Sequence, residues 1–215
     1  MYFEYGDAEI CYLKEKDTKL AAVIDSVGHI YREADTDLFS SIVHHIIGQQ
    51  ISTKAQATIW KRMQDRQGTI SAENIVEASE EDLQSLGITY RKAEYIKDFA
   101  LKVIAGEFCL DDISLMSDGE AIKKLTELKG IGVWTAEMIL LFCLQRPDIF
   151  SYQDLAIQRG LRMIYHHRAI TKELFEKYRR RFHPYCSTAS LYIWAVAGGA
   201  IPEMKDSAIR NNRRR

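Results

Sequence analysis

Two glycines separated by one residue, Gly130 and Gly132, lie between an apolar helical pattern ending near Lys129 and a second running from about Val133 to Leu144. This feature constrains the chain most, because two helices must meet through a hairpin of minimal length. Glycines at that spacing admit positive φ and leave backbone N–H groups at the mouth of the following helix. Such a mouth seats anions, since the N–H groups and the positive end of the helix dipole point outward together. Asp154 follows Gly132 by 22 residues and opens another amphipathic pattern, Leu155, Ile157, Leu161 and Ile164. A carboxylate at that place is a natural N-cap. Taken alone, a plain interhelical turn and a plain helix cap account for both features.

Helical signals dominate the remainder. Residues 18–27 and 37–48 carry apolar residues at three- and four-residue spacing, with Asp37 placed to cap the second stretch. A break at Gly48-Gln49-Gln50-Ile51-Ser52 precedes a helix over 52–67, with Ser52 as N-cap. Ser79 to Asp82 has the form of a capping box, and Gly87 stops the short helix it opens. Patterns over 90–105, 118–128, 171–182 and 187–197 complete the set; only residues 2–13 read as a short extended piece. The expectation is an all-α, multi-helix globule over 1–215, a single domain of two helical lobes with a cleft near the hairpin.

Composition narrows the function classes. No apolar run approaches the roughly 20 residues of a membrane helix, and the first residues lack the order of a signal peptide. A cytoplasmic protein with no membrane partner is expected. Cys11, Cys109, Cys143 and Cys186 are scattered without a C-x-x-C pair, and the adjacent pairs His44-His45 and His166-His167 point to different helix faces. Zinc and iron–sulfur sites are therefore not expected, and Cys143 reads as a core thiol. The net charge of −1 conceals an asymmetry: residues 1–154 hold 16 Lys/Arg against 26 Asp/Glu, and residues 155–215 hold 13 against 4. One basic face, with a basic tail at 210–215, is consistent with a polyanionic partner.

The fuller string Leu-Lys-Gly-Ile-Gly-Val-Trp-Thr-Ala at 128–136, with an Asp about two dozen residues on, resembles the signature of the helix-hairpin-helix DNA glycosylases. Within that superfamily the chain is most similar to the DNA-3-methyladenine glycosylase II branch. Arg-Phe-His-Pro-Tyr-Cys-Ser-Thr-Ala-Ser-Leu-Tyr-Ile-Trp at 181–194 is a second match, and Ile46 to Ser52 is a third. The resemblance covers about residues 18–200. It departs from the family at two places: the proline that usually precedes the catalytic Asp is absent, and Cys186 replaces an arginine.

The resemblance implies a helix-hairpin-helix motif at about 118–144 and a monomer acting on double-stranded DNA that contains damaged bases. Gly130, Gly132 and Thr135 would grip a phosphate, which holds the backbone without reading sequence. Gln49, Gln50 and Ser52 would contact DNA from the 48–52 turn, Gln50 filling the gap left by an extruded base. The backbone carbonyls of Thr126, Leu128 and Ile131 would bind a structural Na or K ion; no cofactor is required. Asp154 would be the catalytic carboxylate, stabilising positive charge on the sugar as the N-glycosidic bond breaks. Trp134 stands where the bifunctional members carry a nucleophilic lysine, which implies a monofunctional enzyme without lyase activity. With Tyr185 and Met138 it would line the base pocket, its electron-rich face attracting a cationic alkylated purine. Trp194 and Tyr192 read as packing residues, and Glu137 and Asp148 as alternative acids. The rival expectations are a glycosylase for oxidised or deaminated purines and a non-catalytic DNA-binding module.

Overall fold

The computed structural model describes residues 1–208; the basic tail at 210–215 lies outside the described residues. Among the described residues there are thirteen helices and a single isolated antiparallel bridge, between Tyr2 and Glu33. The helices form two compact units, Met1–Ala34 with Gln145–Arg215, and Asp35–Leu144. Among the described residues, no helix is long and apolar enough to cross a membrane.

The first unit opens with α1 (Asp7–Lys16) and α2 (Thr18–Val27). The stretch expected to be extended is thus mostly helix. The reason is local: Glu9 accepts a hydrogen bond from Gly6 N at 2.9 Å, acids occupy the first turn and Lys14 and Lys16 the last. Leu13 is the one fully buried side chain of α1, so no apolar stripe advertises the helix.

The second unit holds α3 (Leu38–Gly48), α4 (Thr53–Gln67), α5 (Ala72–Glu77), α6 (Glu80–Ser85), α7 (Tyr90–Ile104), α8 (Leu110–Leu115), α9 (Asp118–Leu125) and α10 (Val133–Phe142). The expected caps are present: Asp37 accepts from Ser40 N, Ser52 from Ala55 N, and Ser79 forms a capping box with Asp82. The short α5 and α8 lie outside the sequence expectation; six residues are too few to display a period. α10 is buried at Thr135, Ala136 and from Met138 to Leu141, so it runs through the middle of its unit. Phe39 of α3 stacks on Phe99 of α7 with ring centroids 4.9 Å apart, and both rings are buried.

The chain then returns to the first unit for α11 (Leu155–Tyr165), α12 (Lys172–Phe182) and α13 (Cys186–Ala197). Ile157, Leu161 and Ile164 of α11 are buried with Phe175, Phe182 and Ile193. Helices α11 and α13 approach closely because Gly160 has no side chain: a Cβ there would stand 2.3 Å from the Ile193 carbonyl oxygen. Alanine normally improves a helix interior by about 1 kcal/mol over glycine. At Gly160 the sign should reverse, with Gly160→Ala costing about 1–3 kcal/mol through overpacking against backbone. Thermal unfolding checks this; an unchanged or higher midpoint would mean that the two helices separate without penalty.

Candidate active site and nucleic-acid interface

Asp154 is the N-cap of α11 and only 7 % exposed. Its Oδ1 accepts hydrogen bonds from Ala156 N at 2.8 Å, Ile157 N at 2.9 Å and the Trp194 indole Nε1 at 3.2 Å. Capping and charge placement are therefore one arrangement: the helix mouth and the indole together hold a carboxylate in a fixed plane. Trp194, read from sequence as a packing residue, is here a direct partner of Asp154. Only the packing of α13 on α11 brings them together, and the one sequence hint is that Trp194 ends the 181–194 match. Tyr192 is buried as expected, its hydroxyl 3.3 Å from that of Tyr5.

The approach to Asp154 lacks the family proline but is held by packing. Phe150 stacks on Phe175 at 4.4 Å, Tyr152 meets the same ring edge-on at 5.2 Å, and Gln158 Nε2 donates to the Tyr152 carbonyl at 2.7 Å. Upstream, Ser187 Oγ accepts from Ile149 N at 2.9 Å and donates to the Arg146 carbonyl.

Tyr185 precedes α13, half-buried, with its ring edge-on to Tyr12 at 5.2 Å. Tyr12 in turn donates to the His183 carbonyl at 2.6 Å. Cys186 is fully buried, with its thiol 3.4 Å from the Arg179 carbonyl; burial pushes the thiol pKa well above its ordinary value. The guanidinium in this neighbourhood comes instead from Arg179, which reaches Asp148 at 3.5 Å. His183 Nδ1 also lies 2.7 Å from Asp148 Oδ2. Asp148 is thus a structural anchor for 183–186.

In the second unit, the helix before the hairpin stops at Leu125, short of the 128–129 end that the pattern suggests. Thr126 Oγ1 donates to the Lys123 carbonyl, and successive three-residue turns follow: Glu127 N to Lys124 O, Leu128 N to Leu125 O, and Ile131 N to Leu128 O at 3.1 Å. These tighter turns replace the helical ladder because the chain must reverse at once. Of the two glycines, only Gly130 has positive φ, at 84°. A Cβ on it would fall 2.5 Å from the Tyr95 ring of α7. Gly132 departs from the expectation: its φ is −93°, it is the N-cap of α10, and nothing lies within 4 Å of where a Cβ would project. Gly130 is thus required by the fold, whereas Gly132 leaves open space at the helix mouth.

The first hydrogen bond of the α10 ladder runs from Ala136 N to Gly132 O at 2.9 Å, so the preceding amides point out of the ladder. Trp134 stands in that first turn, 40 % exposed, whereas Met138, one turn on, is 3 % exposed and belongs to the core of the unit. Thr135 is also buried. Thr126, Leu128 and Ile131, the residues whose carbonyls the resemblance assigns to a cation, lie in or beside these turns. That of Leu128 accepts the Ile131 amide.

The turn between α3 and α4 presents Gln50 in the left-handed region, φ 57°, with Gln50, Ile51 and Ser52 exposed. Gln49, beside it, donates from its side-chain Nε2 to the Gly130 carbonyl at 2.6 Å. Lys92 on α7, which sequence reasoning passed over, donates from Nζ to the carbonyls of Ile47 at 2.8 Å and Gln49 at 2.6 Å.

Comparison with known proteins gives the family and the fold. The chain is 28 % identical over 186 residues to the Bacillus subtilis protein YfjP, covering 82 % of this chain and 65 % of YfjP, so it spans just under two thirds of that relative's length. A Bacillus halodurans DNA-3-methyladenine glycosidase structure superposes with a TM-score of 0.84 at 30 % identity, covering 96 % of this chain and 97 % of that one. A Schizosaccharomyces pombe 3-methyladenine DNA glycosylase, solved in complex with abasic DNA, gives 0.79 at 26 % identity, covering 89 % and 97 %. The pattern of the HhH-GPD superfamily base excision DNA repair proteins matches residues 43–184, two thirds of the sequence, and the chain belongs to that superfamily.

Proposed function

We propose that this protein is a monofunctional DNA glycosylase that excises alkylated purines, 3-methyladenine first and 7-methylguanine second. The observation that carries the reading is Asp154: a nearly buried carboxylate anchored through Oδ1 by two helix amides and an indole N–H. As the bond between sugar C1′ and the purine nitrogen breaks, the base leaves with the bonding electrons and the deoxyribose becomes cationic. A pre-oriented carboxylate stabilises that cation without reorganising. Water then adds to C1′ and loses a proton. An alkylated purine is already positively charged, so its departure as a neutral base needs little help from a general acid.

The second unit supplies the DNA grip. The open mouth at Gly132 receives a backbone phosphate, a Na or K ion on the carbonyls of Thr126, Leu128 and Ile131 would add charge to that seat, and exposed Trp134 offers a face to a cationic base. Trp in place of a nucleophilic lysine supports hydrolysis without strand cleavage. Exposed Gln50 is the residue for the emptied stack, and in the first unit half-buried Tyr185 offers an aromatic face to a base. The similarity to the Bacillus halodurans DNA-3-methyladenine glycosidase and the Schizosaccharomyces pombe 3-methyladenine DNA glycosylase supports the same substrate class.

Separation of free bases after incubation with methylated duplex DNA tests the reading. Release of 3-methyladenine ahead of 7-methylguanine, with the strand left uncut, is expected. Silence on this DNA but activity on oxidised or deaminated duplexes would move the specificity elsewhere in the superfamily. Silence on all of them, with salt-dependent DNA binding retained, would reduce the protein to a binding module.

A further inference from the structure

One helix, α7, underlies both DNA-facing devices of the second unit. At its first turn, Lys92 Nζ is clamped on the carbonyls of Ile47, in the last turn of α3, and of Gln49, its C-cap. An ammonium there meets the negative end of the α3 dipole as well as two acceptors that would otherwise go unpaired by the helix. One turn further on, the Tyr95 ring lies directly beneath Gly130. Gln49 closes the triangle, its backbone held by Lys92 and its side chain by the Gly130 carbonyl. On the other side of the turn, Gln56 Nε2 donates to the His44 carbonyl at 3.1 Å.

The turn needs such bracing. Gln50 lies in the left-handed region, which costs a non-glycine residue about 1 kcal/mol or more, and surrounding structure must impose it. Lys92 is half-buried and its pKa is depressed by desolvation, so its placement carries a cost that the carbonyl contacts offset. The side chain is spent inward and is not offered to a phosphate.

We infer that Lys92 is a positioning residue: its ammonium sets the 48–52 turn and, through Gln49, holds that turn in register with the 130–132 hairpin, so that duplex wedge and phosphate grip act as one rigid piece. The inference rests on the glycosylase reading for its consequence, but the brace itself has an independent readout.

The test compares wild type with Lys92→Met, which keeps the stem and removes the ammonium, and with Gln49→Leu, which cuts the link to the hairpin. Three quantities are read: single-turnover release of 3-methyladenine from methylated duplex and from methylated single strands, the salt dependence of duplex binding, and hydrogen exchange across residues 46–56. Because a wedge matters only where there is a stack to fill, Lys92→Met should lose about tenfold or more on duplex and little on single strands. The salt slope should stay unchanged, since a lysine that contacts phosphate would lower it by about 1. Exchange across 46–56 should quicken in both variants, and Lys92→Arg should restore part of the duplex activity.

Equal losses on duplex and single strands would overturn the inference in favour of general damage to the fold. A slope reduced by about 1 would overturn it in favour of a direct phosphate contact. Unchanged exchange in Lys92→Met would also overturn it, even if the protein released no base. A wild type silent on both DNAs would count against the glycosylase reading alone, leaving exchange to decide on the brace.

Discussion

Asp154→Asn should lower single-turnover release of 3-methyladenine from methylated duplex DNA by at least about a hundredfold while leaving fold and DNA affinity intact. The substitution separates two roles that share one oxygen. Asparagine caps helices as well as aspartate does, and its carbonyl can still accept from the Ala156 and Ile157 amides and the Trp194 indole. What it cannot supply is the negative charge opposite a cationic sugar. Thermal unfolding, duplex binding by fluorescence anisotropy and base release should therefore disagree, with only the last collapsing. Release at the wild-type rate would leave Asp154 a helix cap and nothing more. Asp154→Ala is a poorer probe, because it also removes the cap, worth about 1 kcal/mol, and the acceptor of the Trp194 N–H.

The second large effect distinguishes the two hairpin glycines. Gly130→Ala places a methyl group where the Tyr95 ring already is, and does so at a φ of 84°. Left-handed strain costs about 1–2 kcal/mol and overpacking a further 1–3, so the variant should unfold well below wild type. It should also bind duplex poorly, since Gln49 loses its fixed acceptor when the hairpin shifts. Gly132→Ala has ordinary φ and open space, and should cost no more than about 1 kcal/mol as a poorer N-cap. Its methyl group nevertheless projects into the mouth assigned to phosphate, so duplex affinity should fall about tenfold with stability nearly kept. If Gly132→Ala binds DNA as tightly as wild type, the phosphate seat lies elsewhere. If Gly130→Ala is as stable as wild type, the contact with Tyr95 is not a constraint.

Two departures from the family pattern also find a physical account. The missing proline before Asp154 is offset by aromatic packing, with Phe150 and Tyr152 both against Phe175. Cys186 in place of an arginine is a buried thiol, and the nearby guanidinium belongs to Arg179 on the preceding helix.

What the sequence determined by itself was local. Asp37, Ser52, Ser79 and Asp154 could be read as caps because a side chain reaches an amide two or three residues away, whatever the rest of the chain does. The all-helical class followed from the same short-range periods, and Gly130 from the need to reverse the chain in so few residues. Where the period was short or faint, as in α1, α5 and α8, the reading failed or stayed silent, and the end of α9 was set by the turns that follow it. The tertiary structure alone decided which groups meet: Trp194 with Asp154 across 40 residues, Gln49 with Gly130 across 81, and Lys92 with the carbonyls of the 48–52 turn. It also showed that Gly132 is open where Gly130 is filled. Contacts of that kind depend on how whole helices pack, and packing is fixed by the summed burial of many side chains, none of which carries the address of its partner.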